Sequence, residues 1–183
     1  MANIQLEWTP NPSTLKYVLD RTLLPYGALN LTSREEAARK SPLAEQLMEL
    51  EGVTAVMLGP SFVTITKGAG GEWDELNDAV MAVLERFAES GQPAIHEGAL
   101  DRPSPEGASE AERKIRHLLE TEIRPAVAMD GGDIALSSYQ DGVAYVHMQG
   151  SCSGCPSSQL TLKQGIEGRL REVVPELLEV VPV

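Results

Sequence analysis

The chain has 183 residues, of which 42% are apolar and 4% aromatic, and its formal net charge at neutral pH is −12. This length predicts one domain or two small ones, and the negative charge argues against binding to a nucleic-acid phosphate backbone, which needs clustered Lys and Arg. No stretch approaches the roughly 18 apolar residues of a membrane span, and no basic region followed by an apolar run marks a signal peptide. We therefore expect no nucleic-acid or membrane partner, and a reducing cytoplasm is the simplest predicted location.

The first part of the chain predicts two strands with a short helix between them. Apolar and polar residues alternate over 4–8, which is typical of a half-buried strand. Prolines break this pattern at 9–12, and Ser13 is placed to cap a short helix that carries the apolar residues of 15–19. Residues 29–31 alternate again and indicate another strand.

The next stretch predicts two helices, a hairpin and a third helix. Residues 33–36 have the Ser-x-x-Glu pattern of a capping box, and Ser41–Pro42 begins a second helix with proline at its favoured first position. β-Branched runs at 53–58 and 62–66, separated by Gly-Pro-Ser, indicate a hairpin. Apolar residues then recur at helical spacing from 76 to 87.

Residues 91–108 differ from both flanks because they carry several glycines and prolines and no apolar period. This composition predicts a linker that is extended and partly mobile. It divides the chain into a first domain over 1–90 and a second over 109–183. Each half combines helices and strands, so the predicted fold class is α+β.

The second domain predicts the element order α-β-β-α-β. A capping box at 109–112 begins a helix, with a boundary or kink at Arg124–Pro125 because the residue before proline disfavours helical geometry. The glycines of 130–133 permit a tight turn, and Asp141–Gly142 joins two strands as a hairpin. A last helix and a short strand over 177–181 follow. The apolar face of that helix comprises Leu162, Ile166, Leu170 and Val173.

Both cysteines of the chain, Cys152 and Cys155, lie two residues apart between a predicted strand and a predicted helix. Pro156 suits the first helical turn, so Cys155 lies near a helix N-terminus, where free N–H groups and the helix dipole favour thiolate. Such a pair can hold a metal, form a redox disulfide, or be structural. A thioredoxin-like site would be expected beside a βαβ unit, whereas an antiparallel hairpin precedes this one.

Ligand number separates the metal-binding interpretations. Zinc and iron–sulfur clusters usually take four protein ligands, and one chain offers two thiolates. The histidines are His96, His117 and His147, and only His147 is near the cysteines in sequence, where a surface position on a strand is the simpler interpretation. Two chains related by a twofold axis would supply four thiolates.

Three motifs of the second domain resemble those of the NifU-like, or Nfu, iron–sulfur proteins in order and spacing. They are Ile123–Pro125, Asp130–Ile134 and the cysteine loop Gly150–Ser158. The first domain also resembles the N-terminal domain of that family. The matching stretches are Thr9–Pro12, Leu15–Lys16, Ser41–Ala44, Gly52–Pro60 and Phe62–Lys67.

This resemblance implies a carrier or scaffold, without catalytic turnover, that holds a labile 4Fe–4S cluster between two protomers. The motif cysteines of the family map onto Cys152 and Cys155, which would be the cluster and metal ligands in a cluster-loaded homodimer. The implied partners are an upstream assembly scaffold and apo iron–sulfur proteins that receive the cluster. Four thiolates can also hold a 2Fe–2S cluster, and the alternative functions are a CxxC thiol oxidoreductase or a zinc-binding module.

Overall fold

A computed structural model describes residues 3–100, 107–153 and 156–183, with the side chains of 156–158 left out. The chain divides into two compact units, residues 1–101 and 102–183. Each unit has its own sheet and its own buried core, which confirms the α+β prediction. The division falls inside the predicted linker, whose own extent of 91–108 stays a prediction.

The first unit is built on a five-stranded antiparallel sheet of order β1-β2-β5-β4-β3. Three helices, α1, α2 and α3, accompany it. The strands are β1 (Ile4–Trp8), β2 (Thr14–Leu19), β3 (Leu29–Leu31), β4 (Val53–Leu58) and β5 (Phe62–Lys67), and the helices are α1 (Arg34–Lys40), α2 (Pro42–Met48) and α3 (Trp73–Ser90).

The predicted helix after Ser13 is wrong, because this stretch is strand β2 in the interior of the sheet. Leu15, Tyr17 and Leu19 are buried and recur at every second residue, so they lie on one face of the strand. The amide of Ser13 donates to Oδ1 of Asn11 at 3.0 Å. The segment therefore closes the β1–β2 hairpin through an Asn-centred turn, and Ser13 caps no helix.

The predicted helix starts at α1 and α2 are confirmed by their capping contacts. Oγ of Ser33 accepts from the amide of Glu36 at 3.2 Å, and Oγ of Ser41 accepts from the amide of Ala44 at 3.0 Å. Ser41 is buried, and its hydroxyl also donates to the carbonyl of Ala94 at 2.5 Å. Ser41 therefore links the start of α2 to the segment that contains Ala94.

The segment after α3 packs against the first unit. The amide of His96 donates to the carbonyl of Lys40 at 2.8 Å, and the Arg21 guanidinium donates to the carbonyl of Gln92 at 3.1 Å. Ala94 and Ala99 are buried in the core of this unit. Residues 92–99, at the start of the predicted linker, are therefore held in place.

The second unit has a three-stranded sheet of order β6-β7-β8, with β6 and β7 antiparallel and β8 parallel to β7. Its elements follow the predicted order α-β-β-α-β, with the first helix divided by a π-helical turn over Leu119–Ile123. They are α4 (Glu110–Leu118), α5 (Arg124–Met129), β6 (Gly132–Gln140), β7 (Val143–Gly150), α6 (Pro156–Val173) and β8 (Glu179–Pro182).

Local sequence signals set the ends of these elements. The π turn precedes Pro125, which lacks an amide hydrogen, so the helix changes geometry where a boundary was predicted. Asp141 and Gly142 have φ values of 50° and 81°, as a type I′ hairpin turn requires at both positions. The predicted apolar face of the last helix is wrong at Val173, which is exposed. Val174 lies in the core instead.

Helices within the described part of the chain are all too short or too polar to cross a lipid bilayer.

Candidate metal centre

The cysteine loop begins where the β6–β7 hairpin meets the turn that precedes it. The amide of Ser151 donates to the carbonyl of Gly131 at 3.2 Å, and the Ser151 hydroxyl donates to the carbonyl of Asp130. Gly131 has a φ of 75°, a conformation that favours glycine. The 130–133 turn, interpreted from sequence as structural, therefore anchors the start of the loop.

The side chain of Cys152 occupies space beside Gly132. A Cβ atom built on Gly132 would lie 2.2 Å from Sγ of Cys152, a distance at which one of the two groups must move. Gly132 pairs with Gly150 across the two strands, so neither residue places a side chain at the end of this hairpin. The missing side chain leaves room for the sulfur.

Cys152 is 7% exposed and belongs to the apolar core of the second unit. Burial raises the pKa of the Cys152 thiol to about 11; a hydrogen bond with Ser151 opposes this shift, and the charges of Asp130 and Asp133 add to it. The sulfur is therefore a protonated thiol at neutral pH. The serines that surround the cysteine pair in the sequence predict an exposed surface loop. This prediction is wrong for Cys152, because a thiol is a small apolar group that packs well in a core.

Cys155 and Gly154 lie outside the described residues, so the predicted pairing of Cys152 with Cys155 stays a prediction. Helix α6 does begin at Pro156, as the sequence predicted. Cys155 immediately precedes that helix in the sequence.

An ion pair links two of the motif stretches beside the loop. Nε of Arg124 donates to Oδ1 of Asp133 at 2.8 Å, and Nη2 donates to Oδ2 at 3.0 Å. The pair joins α5 to the start of β6, directly after Gly132. Sequence analysis did not find this contact or the contact between Gly132 and Cys152, because no local periodicity relates residues on separate elements.

The three histidines lie in different parts of the chain. His147 is exposed on β7, and its Nδ1 lies 3.0 Å from the carbonyl oxygen of Val183. His117 lies on α4, and His96 belongs to the first unit. Within 3–100, 107–153 and 156–183, less the side chains of 156–158, no three His, Cys, Asp or Glu side chains cluster to hold a metal ion.

Fold and site define an α+β protein of two units, the second of which carries a CxxC loop between a hairpin and a helix. Residues 115–181 match the family model described as NifU-like domain. Residues 4–91 match the one described as Scaffold protein Nfu/NifU N terminal. The two models together cover most of the chain.

Curated relatives share both halves. A Drosophila grimshawi protein named NFU1 iron-sulfur cluster scaffold homolog, mitochondrial, is 43% identical over 176 residues, covering 95% of this chain and 59% of that protein. The Homo sapiens protein of the same name is 39% identical over 179 residues, covering 95% of this chain and 69% of that protein. The chain belongs to the Nfu family of NifU-like proteins.

The chain spans about three fifths of the length of the Drosophila relatives, 59% to 62%. The solution structure of a NifU-like protein from Saccharomyces cerevisiae also matches, with a TM-score of 0.48 and 22% identity. That match covers 53% of this chain and 87% of the yeast one.

The predicted cytoplasmic location is contradicted by these comparisons. The relatives' names place those proteins in mitochondria. The prediction rested on the low number of cysteines and the absence of a recognisable signal, and neither observation distinguishes one reducing compartment from another. We do not retain it.

Proposed function

We propose that the protein is an iron–sulfur cluster carrier that holds a labile 4Fe–4S cluster between two protomers. It receives the cluster from an upstream scaffold and delivers it to apo-proteins, without catalytic turnover of its own. One observation carries this proposal: the cysteine pair lies in the motif loop between β7 and α6 of a chain that belongs to the Nfu family. The relatives named above are iron–sulfur cluster scaffolds by name.

Two chains supply the ligands. Clusters of this kind are held by four thiolates, and Cys152 and Cys155 are the only cysteines in the sequence. A twofold axis at the loop brings together both cysteines of each protomer. Because burial favours the protonated form of the Cys152 thiol, cluster binding releases its proton.

Two exposed apolar side chains flank the loop and supply the contact between the protomers. Met129 is 76% exposed and precedes Asp130, whose carbonyl accepts from Ser151. Leu160 is 60% exposed and follows Gln159, whose amide donates to the carbonyl of Cys152 at 3.4 Å. A second copy bound through a shared cluster covers this region and removes apolar surface from water.

The alternatives differ in what they require of Cys152. A thiol oxidoreductase needs an accessible thiolate of lowered pKa, whereas burial raises the pKa of the Cys152 thiol and shelters its sulfur. A zinc-binding module would use the same four thiolates, so elemental analysis has to separate zinc from a cluster.

The test is anaerobic reconstitution with iron and sulfide, followed by analysis of iron, sulfide and zinc and by visible absorbance. The parent protein becomes brown and contains iron and sulfide in equal amounts. Cys152→Ala and Cys155→Ala each lose nearly all iron, because a pure mutant dimer retains two thiolates. His147→Ala is the control and binds as much iron as the parent.

Circular dichroism accompanies each variant, since Cys152 is in the core and its truncation is expected to cost about 1 kcal/mol. Full iron binding by either cysteine variant, with the fold intact, would exclude the proposed ligand set. Colourless, zinc-loaded parent protein after the same treatment would favour the zinc module.

A further inference from the structure

Gly132 lies in the motif turn, and nothing in its backbone requires glycine. Positive φ angles occur at Gly131 and Gly150, but Gly132 is not among the residues with this conformation. What distinguishes Gly132 is its neighbour: an added Cβ would lie 2.2 Å from Sγ of Cys152 and 3.3 Å from Cβ and N of the same residue. All three nearest atoms belong to Cys152.

We infer that Gly132 is a positioning residue that forms a socket for the Cys152 thiol, and that cluster loading draws the thiol out of this socket. Only the second part of this inference, the movement of the thiol on cluster loading, rests on the proposed function. The socket itself follows from the contact and from the 7% exposure of Cys152.

The backbone around Cys152 is held by hydrogen bonds that do not involve its sulfur, while the thiol itself makes a hydrogen bond with Ser151. The amide of Ser151 is bound to the carbonyl of Gly131, and the carbonyl of Cys152 accepts from Gln159. A cysteine has a single χ1 torsion with three staggered positions. Rotation about χ1 therefore moves Sγ out of the socket without unmaking the hydrogen bonds of the backbone.

The buried position is incompatible with sharing a ligand between protomers. A thiolate that bridges to a metal carried with a second chain must reach the protein surface, and the sulfur in the socket is enclosed by its own unit. In the socket the thiol is sheltered from reagents and oxidants.

The first experiment measures alkylation of Cys152 in the cluster-free full chain, resolved by peptide mass spectrometry with Cys155 as the reference site. The variant is Gly132→Ala, whose Cβ displaces the sulfur. The matched control is Gly165→Ala, since a Cβ there meets nothing within 4 Å and its φ is not positive. Gly132→Ala accelerates alkylation of Cys152 by about tenfold, because the buried position of the thiol is no longer favoured over the exposed one. Gly165→Ala leaves the rate unchanged.

The second experiment is a double-mutant cycle in thermal unfolding, which separates the socket from a general loss of structure. Gly132→Ala lowers the melting temperature of the parent. In the Cys152→Ala background the sulfur is absent, although Cβ and N of residue 152 still lie 3.3 Å from the added Cβ, so the same substitution lowers the melting temperature by less than it does in the parent. An equal loss in both backgrounds, or an unchanged alkylation rate in Gly132→Ala, would overturn the socket.

Cluster loading tests the second part of the inference. Gly132→Ala begins with its thiol displaced, so its initial rate of iron incorporation during reconstitution exceeds that of the parent and of Gly165→Ala. An initial rate equal to or below that of the parent would overturn the statement that loading draws the thiol out. If the parent itself takes up no iron, the proposed function fails, and the alkylation and unfolding results still decide the socket.

Discussion

Arg124 and Asp133 form a two-pronged ion pair that joins α5 to β6, with N–O distances of 2.8 Å and 3.0 Å. The Asp133 side chain is 8% exposed and that of Arg124 is 24% exposed. Planar guanidinium and carboxylate groups match in this geometry, which a lysine cannot reproduce. The pair holds together the elements at the two ends of the turn that contains Gly131 and Gly132, and Gly131 in turn accepts a hydrogen bond from the start of the cysteine loop.

Arg124→Met is expected to destabilise the second unit by about 3 kcal/mol, because it leaves the Asp133 carboxylate buried without its partner. Hydrogen exchange of β6 and β7 amides measures the loss. Tryptophan fluorescence does not, since Trp8 and Trp73 both belong to the first unit. Lys114→Met is the control, because its partner Glu110 is exposed, and little change is expected. Exchange rates as slow as those of the parent in Arg124→Met would show that the pair contributes nothing to stability.

A fragment of residues 109–183 is expected to fold alone and to accept a cluster. The second unit has its own core, from Ile115 to Val180. Amide dispersion in a heteronuclear NMR spectrum and iron analysis after reconstitution check this outcome. A collapsed, poorly dispersed spectrum would mean that the two units are not independent.

Limited proteolysis of the full chain is expected to cut first within the predicted linker, 91–108, and outside its packed part, 92–99. The segment 92–99 is held against the first unit by buried alanines and by backbone hydrogen bonds, and a protease needs a stretch of chain that can open locally. Mass spectrometry of the early fragments locates the site. First cleavage inside 92–99 would contradict the packing of that segment.

The apolar contact between protomers is tested by placing a charge on it. Met129→Glu and Leu160→Glu are expected to lower the fraction of cluster-loaded dimer, because each buries a carboxylate at the interface. Leu178→Glu is the matched control: Leu178 is 66% exposed, and it packs beside Gly142 at the other end of the β6–β7 hairpin. Analytical ultracentrifugation of reconstituted samples compares the three, and equal dimer fractions would remove Met129 and Leu160 from the interface.

The elements that sequence predicted correctly are those fixed by residues close together in the chain. Ser33 and Ser41 each cap a helix by accepting from an amide three residues later. Asp141–Gly142 forms the turn between two adjacent strands. Such signals are complete within a short window. The order α-β-β-α-β of the second unit followed from them.

The elements that sequence missed depend on distant partners. Residues 14–19 are a strand because β1 and β5 pair with them on both sides, and β5 lies more than forty residues later. The burial of Cys152 likewise depends on Gly132, which lies on strand β6 about twenty residues earlier in the chain. A surface loop rich in serine predicted an exposed sulfur, and the space left by one absent side chain reversed that outcome.

Native mass spectrometry of cluster-free and reconstituted protein tests the central claim most directly, that one cluster is shared by two chains. A ligand that binds the dimer and not the monomer stabilises the dimer by mass action. We expect a mainly monomeric cluster-free protein and a reconstituted dimer that carries one cluster with four irons, and transfer of that cluster to an apo acceptor followed by circular dichroism. A monomer that carries a complete cluster would contradict the claim, because its ligands would have to come from outside Cys152 and Cys155.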